Sequence, residues 1–197
     1  RDLNTEKENL ITIMKDTQPM PDDPMHSLFI HKLGLSDEGK FVPLCKRNLK
    51  IEFVGDSITT GEGMAGNPDE MDWIPTWMSV SENYAVQTAR ALVADFDIVS
   101  QCGWGILWGW GGNIHSNIPD FYEQICGVIP GAYQKKLGAH DLYDFTKSKK
   151  DFVVINLGTN DNGAFSQPAW KDPATGKEYD LKFNNIVCAK LFCKQNF

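Results

Sequence analysis

Three apolar runs, Lys50–Gly55, Phe96–Ser100 and Asp151–Leu157, divide the chain at wide intervals, and each runs into a turn of small and polar residues. The first and third are nearly continuous in apolar character, the pattern of parallel strands covered on both faces. Between the first two, Ser81–Asp95 reads as a helix. It places Tyr84, Val86, Ala89, Leu92 and Val93 at roughly helical spacing, with Ser81 or Asn83 as the N-cap. Between the second and third, Ile118–Val128 reads as a helix opened by Pro119 and Asp120. Strand, helix, strand, helix, strand implies right-handed crossovers and a parallel sheet layered between helices. The expected fold class is α/β, a three-layer α/β/α sandwich.

Sheets of this kind bind ligands at the carboxyl ends of their strands. Gly55-Asp56-Ser57, Gln101-Cys102-Gly103 and Gly158-Thr159-Asn160 each stand at such an end. Acyl transfer at one place needs a nucleophile and preorganised donors for the developing oxyanion. Ser57, at a strand-to-helix turn, presents a hydroxyl outward. Gly103 lacks a Cβ, so its N–H can approach a ligand closely. Asn160 adds a neutral side-chain donor, and Asp56 is placed to cap the turn. The expected catalytic set is Ser57, Gly103 and Asn160.

Gly55-Asp56-Ser57-Ile58-Thr59, Gly103 and Gly158-Thr159-Asn160-Asp161 resemble the first three sequence blocks of the SGNH (GDSL) hydrolases. The resemblance covers roughly residues 25–181, and its finer texture is similar to the acetyl-ester hydrolases of carbohydrate esterase family 2. It implies a flavodoxin-like sheet and a serine nucleophile. The oxyanion hole it implies is built from the serine N–H, the glycine N–H and the asparagine side chain, with no metal and no organic cofactor. It also implies that residues 1–48 are a β-rich segment closing a jelly-roll-like module, followed by a hydrolase domain over 49–197. Within 1–48, Ser27–Leu33 and Phe41–Leu44 are expected to pair as a hairpin.

The fourth block of that superfamily, Asp-x-x-His near the end of the domain after two further strands, is expected to be absent from the chain altogether. The tail from about residue 183 is unlike the family, which predicts a truncated or altered C-terminus and an uncovered sheet edge. None of His26, His31, His115 and His140 occupies a triad position in this reading. The base is expected from a region absent from the chain, which also begins at Arg1 rather than Met.

All six tryptophans lie in connections leaving the carboxyl ends of strands. Trp104, Trp108 and Trp110, with Asp56, are the expected substrate-binding residues, the rings forming a wall on which sugars stack. A net charge of −7 argues against nucleic acid as a partner, and no apolar run approaches a membrane span. No signal-peptide pattern is present, so no compartment is indicated. Five spread cysteines match neither a disulfide framework nor a zinc site. The expected function is hydrolysis of an ester, an acetylated saccharide above all. The rivals are a catalytically silent carbohydrate-binding or interaction protein, and a lipase or thioesterase of the same superfamily.

Overall fold

The computed structural model describes residues 7–70 and 72–180. The tail from residue 183, with Cys188 and Cys193, lies outside the described residues. Three parallel strands, β1 (Lys50–Gly55), β2 (Asp95–Ser100) and β3 (Phe152–Asn156), form a sheet in the order β2-β1-β3. Gly55 is paired with Ser100 on one side and Asn156 on the other, so all three strands finish level. The short helices are α1 (Ser57–Thr60), α2 (Tyr84–Ala91), α3 (Pro119–Tyr122), α4 (Ala132–Lys136) and α5 (Thr159–Ala164). The architecture is the expected α/β parallel sheet.

One face of β1 presents Ile51 and Phe53 to Ala85 and Ala89 of α2 and to Ala94, making the main apolar cluster. The alanines let α2 approach closely, and the Phe53 ring meets Tyr84 edge-on at 6.0 Å. Asn83 caps α2, its Oδ1 accepting from the N–H groups of Ala85 and Val86. The helix ends at Ala91 with Leu92 as its C-cap, and the next residue, Val93, is β-branched and held at φ +52°. Glycine there relieves left-handed strain of about 1–2 kcal/mol. Val93→Gly is expected to raise Tm by several degrees in a thermal melt, at roughly 2–4 °C per kcal/mol for a domain of this size.

The other face of β1 buries a charge. Glu52 accepts from the Tyr122 hydroxyl, and the Lys150 ammonium lies 3.9 Å away. Such a group is tolerated inside a sheet only when partnered. A cavity of about 430 Å³ opens beside it, lined in part by Met14, Phe96, Ile98, Tyr143 and Phe145. On the far side, β3 pairs only with β1 among the described residues, and Phe152 to Ile155 are 38–61% exposed.

Three elements differ from the sequence reading. No strand forms between residues 7 and 49, so the hairpin of Ser27–Leu33 with Phe41–Leu44 is absent. Those residues are largely exposed and meet no third strand, and an isolated two-stranded hairpin is marginal in water. The helix expected over Ile118–Val128 stops at Tyr122, because the chain turns to place the N–H groups of Ile125 and Cys126 on the carbonyls of Asp141 and Ala139. A small antiparallel hairpin not foreseen, β4 (Trp170–Lys171) with β5 (Glu178–Tyr179), closes around Asp172 and Gly176.

Residues 16–24 are laced to the α/β unit. Asp16 accepts from Ser79 and Ser81, Gln18 Oε1 accepts the Cys102 N–H at 2.7 Å, and Gln101 Nε2 donates to the Pro19 carbonyl.

Candidate active site

Ser57 is the first residue of α1, immediately past the end of β1. The turn is tight because residue 55 is glycine. A Cβ on Gly55 would lie 1.9 Å from Thr59 Oγ1, which itself meets the Tyr84 hydroxyl at 2.9 Å. Asp56 caps α1, its Oδ1 accepting the Ile58 N–H at 3.1 Å. Ser57 is half-buried, and its hydroxyl makes no hydrogen bond among the described residues.

The second strand end is tied to the first through a thiol. Thr60 Oγ1 meets Cys102 Sγ at 2.9 Å, and the Gln101 N–H donates to the Gly55 carbonyl. Burial pushes the Cys102 thiol up to about 11, so it stays protonated and is no rival nucleophile to Ser57. Alkylation at neutral pH followed by peptide mass mapping is expected to label exposed Cys45 and spare Cys102.

The third strand end is tied to the second. Asn160, buried in the first turn of α5, donates from Nδ2 to the Trp104 carbonyl at 2.8 Å. That bond uses one of its two amide hydrogens and fixes the side chain. Gly103 stands between the two tethers. Its φ of +76° favours glycine, and a Cβ there would meet nothing within 4 Å, so the residue borders open space. Neither the Ser57 nor the Gly103 N–H has an acceptor among the described residues. One strand-end cluster thus holds an uncommitted hydroxyl, two uncommitted backbone donors and one spare amide hydrogen.

The expected substrate-binding residues divide. Trp110 is 57% exposed and packs over Gly163, one helical turn from Asn160, where a ligand can reach it. Trp104 packs against Phe121 with ring centroids 4.9 Å apart and planes tilted by 54°, and it contributes its carbonyl to the tether. Trp108 departs from the expectation. It is 7% exposed and packs with Ala164, Leu107 and Ile114, so its ring fills a core. Asp56 departs as well. It is 1% exposed, and Oδ2 has no hydrogen-bond partner among the described residues. Burial holds its carboxyl above the usual range, with the Ile58 N–H pulling the other way. It shapes the turn and does not line a cleft.

The four histidines have other surroundings. His115 Nε2 lies 3.8 Å from buried Asp172, with its ring edge-on to Trp170. His140 Nε2 meets the Ile129 carbonyl, and His31 is exposed. Asp23-Pro24-Met25-His26 has an Asp-x-x-His spacing ahead of β1, which the sequence reading passed over. His26 Nε2 pairs with Thr17 Oγ1 at 2.9 Å, and Asp23 turns back to the Met25 N–H. Burial and Lys15 hold that imidazole below its ordinary range. Among the described residues no histidine is hydrogen-bonded to Ser57. Sequence reasoning also missed Gln18, whose link to the Cys102 N–H is made by an otherwise ordinary polar residue just ahead of Pro19.

No protein-family model matches the chain. It is 33% identical over 113 residues to an acetylxylan esterase / glucomannan deacetylase of Cellvibrio japonicus (strain Ueda107), across 57% of this chain and 29% of that protein. It is similar to the solved acetyl xylan esterase from the rumen bacterium Butyrivibrio proteoclasticus, with a TM-score of 0.69 and 46% identity, across 73% of this chain and 38% of that one. A family two carbohydrate esterase from Clostridium thermocellum, solved in complex with cellohexaose, is similar at a TM-score of 0.56 and 28% identity, across 78% of this chain and 40% of that one. The chain therefore spans under half the length of each of these three proteins.

Proposed function

The chain is a homologue of the family 2 carbohydrate esterases, an SGNH-type hydrolase family, and from that premise we propose that it carries the nucleophile and oxyanion hole of a serine esterase that deacetylates a saccharide. The observation that carries the reading is the set of uncommitted donors at the tethered strand ends: the N–H groups of Ser57 and Gly103 and the second Nδ2 hydrogen of Asn160. Ser57 Oγ attacks the acetyl carbon, and the carbonyl oxygen becomes an oxyanion held by those three donors. Collapse expels the sugar oxygen, which takes up the proton lost by Ser57, and leaves acetyl-Ser57. Water then cleaves this ester to acetate. Trp110 supplies a face for the sugar ring.

The proton must pass through a base. His26, His140 and His115 are engaged elsewhere, His31 is exposed, and none is hydrogen-bonded to Ser57 among the described residues, so the reading assigns that role to protein beyond them. The test is acetate release from an acetylated xylo-oligosaccharide beside a panel of long-chain acyl esters and an acyl thioester. Faster turnover of the acetylated saccharide supports the reading, and preference for the long acyl chain or the thioester replaces it with a lipase or thioesterase.

One observation favours a second reading: the Ser57 hydroxyl has no hydrogen-bond partner among the described residues. On that reading the scaffold binds saccharide without turnover. Tryptophan fluorescence that responds to the oligosaccharide, with no acetate released, would select it.

A further inference from the structure

Resting on the oxyanion assignment above, we infer that Asp161 is the positioning residue that sets the aim of the Gly103 donor. Asp161 follows Asn160 in α5, and both its oxygens accept from consecutive amides of the loop leaving β2. Oδ2 accepts the Ile106 N–H at 2.8 Å, and Oδ1 accepts the Leu107 N–H at 2.8 Å. The loop reaches the carboxylate only because residue 105 is glycine. A Cβ there would lie 2.3 Å from Asp161 Oδ2 and 2.5 Å from the Trp108 carbonyl oxygen.

Two adjacent residues of one helix therefore grip Trp104, Ile106 and Leu107. Asn160 donates to the first, and Asp161 accepts from the other two. Gly103 is the next residue back along the chain. Its carbonyl accepts the Trp110 N–H at 2.9 Å, and Cys102 before it is bound to Thr60 and Gln18. Its peptide planes are thus fixed from both sides, and the second clamp is Asp161.

A carboxylate is required for this. Two converging N–H groups need two acceptor oxygens, and charge-assisted bonds are about twice as strong as neutral ones. An amide offers one oxygen and turns its own NH2 against the other donor. Asp161 touches no reacting atom and acts through the loop.

The test is Asp161→Asn in the full chain, read by amide hydrogen exchange and by acetyl-ester kinetics. Exchange is expected to accelerate over residues 103–108 and stay unchanged in β1 and α2. With a displaced donor, kcat is expected to fall roughly 10–10²-fold while KM stays within about twofold. Gly105→Ala, which shifts the same loop without altering the charge, is expected to give the same split. Wild-type exchange and kcat in Asp161→Asn would overturn the inference. So would acceleration spread evenly over the domain with kcat and KM both altered, since that is a structural effect alone. If the unsubstituted chain, which lacks an assigned base, releases no acetate, the exchange arm alone decides: unchanged exchange over residues 103–108 in Asp161→Asn overturns the inference, whatever becomes of the esterase reading.

Discussion

Replacing Ser57 by alanine is expected to lower acetate release from an acetylated saccharide by roughly 10³-fold or more, because no covalent acetyl intermediate can then form. The fold should hardly notice. The Ser57 hydroxyl makes no hydrogen bond among the described residues, while the turn around it is kept by Gly55, the Asp56 cap and the Thr59–Tyr84 contact. Stability is therefore expected to stay within about 0.5 kcal/mol, as for a substitution that removes no packing or partner. Initial rates and a thermal melt on the same preparation check both halves. Lost activity with an unchanged melt places the defect in the chemistry, whereas a large shared loss would make Ser57 a structural residue.

Asn160→Ala carries the second large effect, and it should show in both rate and stability. Removing one oxyanion donor typically costs about 2.7–4 kcal/mol of transition-state stabilisation, or roughly 10²–10³-fold in kcat. The Trp104 carbonyl also loses its donor; a fully buried group left unpaired costs about 1–3 kcal/mol, and this half-buried one is expected to cost about the lower end of that range. Asn160→Asp separates donor from shape. It is nearly isosteric, yet it puts an acceptor oxygen against the Trp104 carbonyl and against the developing oxyanion, so it is expected to be no better than alanine in kcat. Kinetics with denaturant melts for both variants check this. Near-wild-type kcat in Asn160→Asp would remove the residue from the oxyanion hole.

The parts of the fold legible in the sequence are those set by short-range chemistry. β1 announces itself through Ile51, Phe53 and Val54 running into Gly55, and Asn83 marks the start of α2 by its capping chemistry. The three strand ends follow from the alternation of strands and helices, so the grouping of Ser57, Gly103 and Asn160 was accessible before any coordinates. What stayed hidden depends on contacts distant in sequence. Trp108 and Trp110 look alike in the chain. Only the packing of α5 buries one against Ala164 and leaves the other over Gly163. The helix expected through Val128 gives way to pairing with residues 139–141, which its own periodicity cannot reveal. The docking of residues 16–24 rests on hydrogen bonds such as Gln18 to Cys102, made by polar side chains with no local signature. The β4–β5 hairpin was better signposted, by Asp172-Pro173 and Gly176 between Trp170 and Tyr179.

The reading turns on one covalent event. The most direct measurement is an acid quench of the protein during turnover of an acetylated saccharide, followed by peptide mass mapping. The account predicts the mass of one acetyl group on the peptide carrying Ser57, absent from Ser57→Ala. Acetate release that continues in Ser57→Ala, or an acetyl group trapped on any other residue, would contradict it.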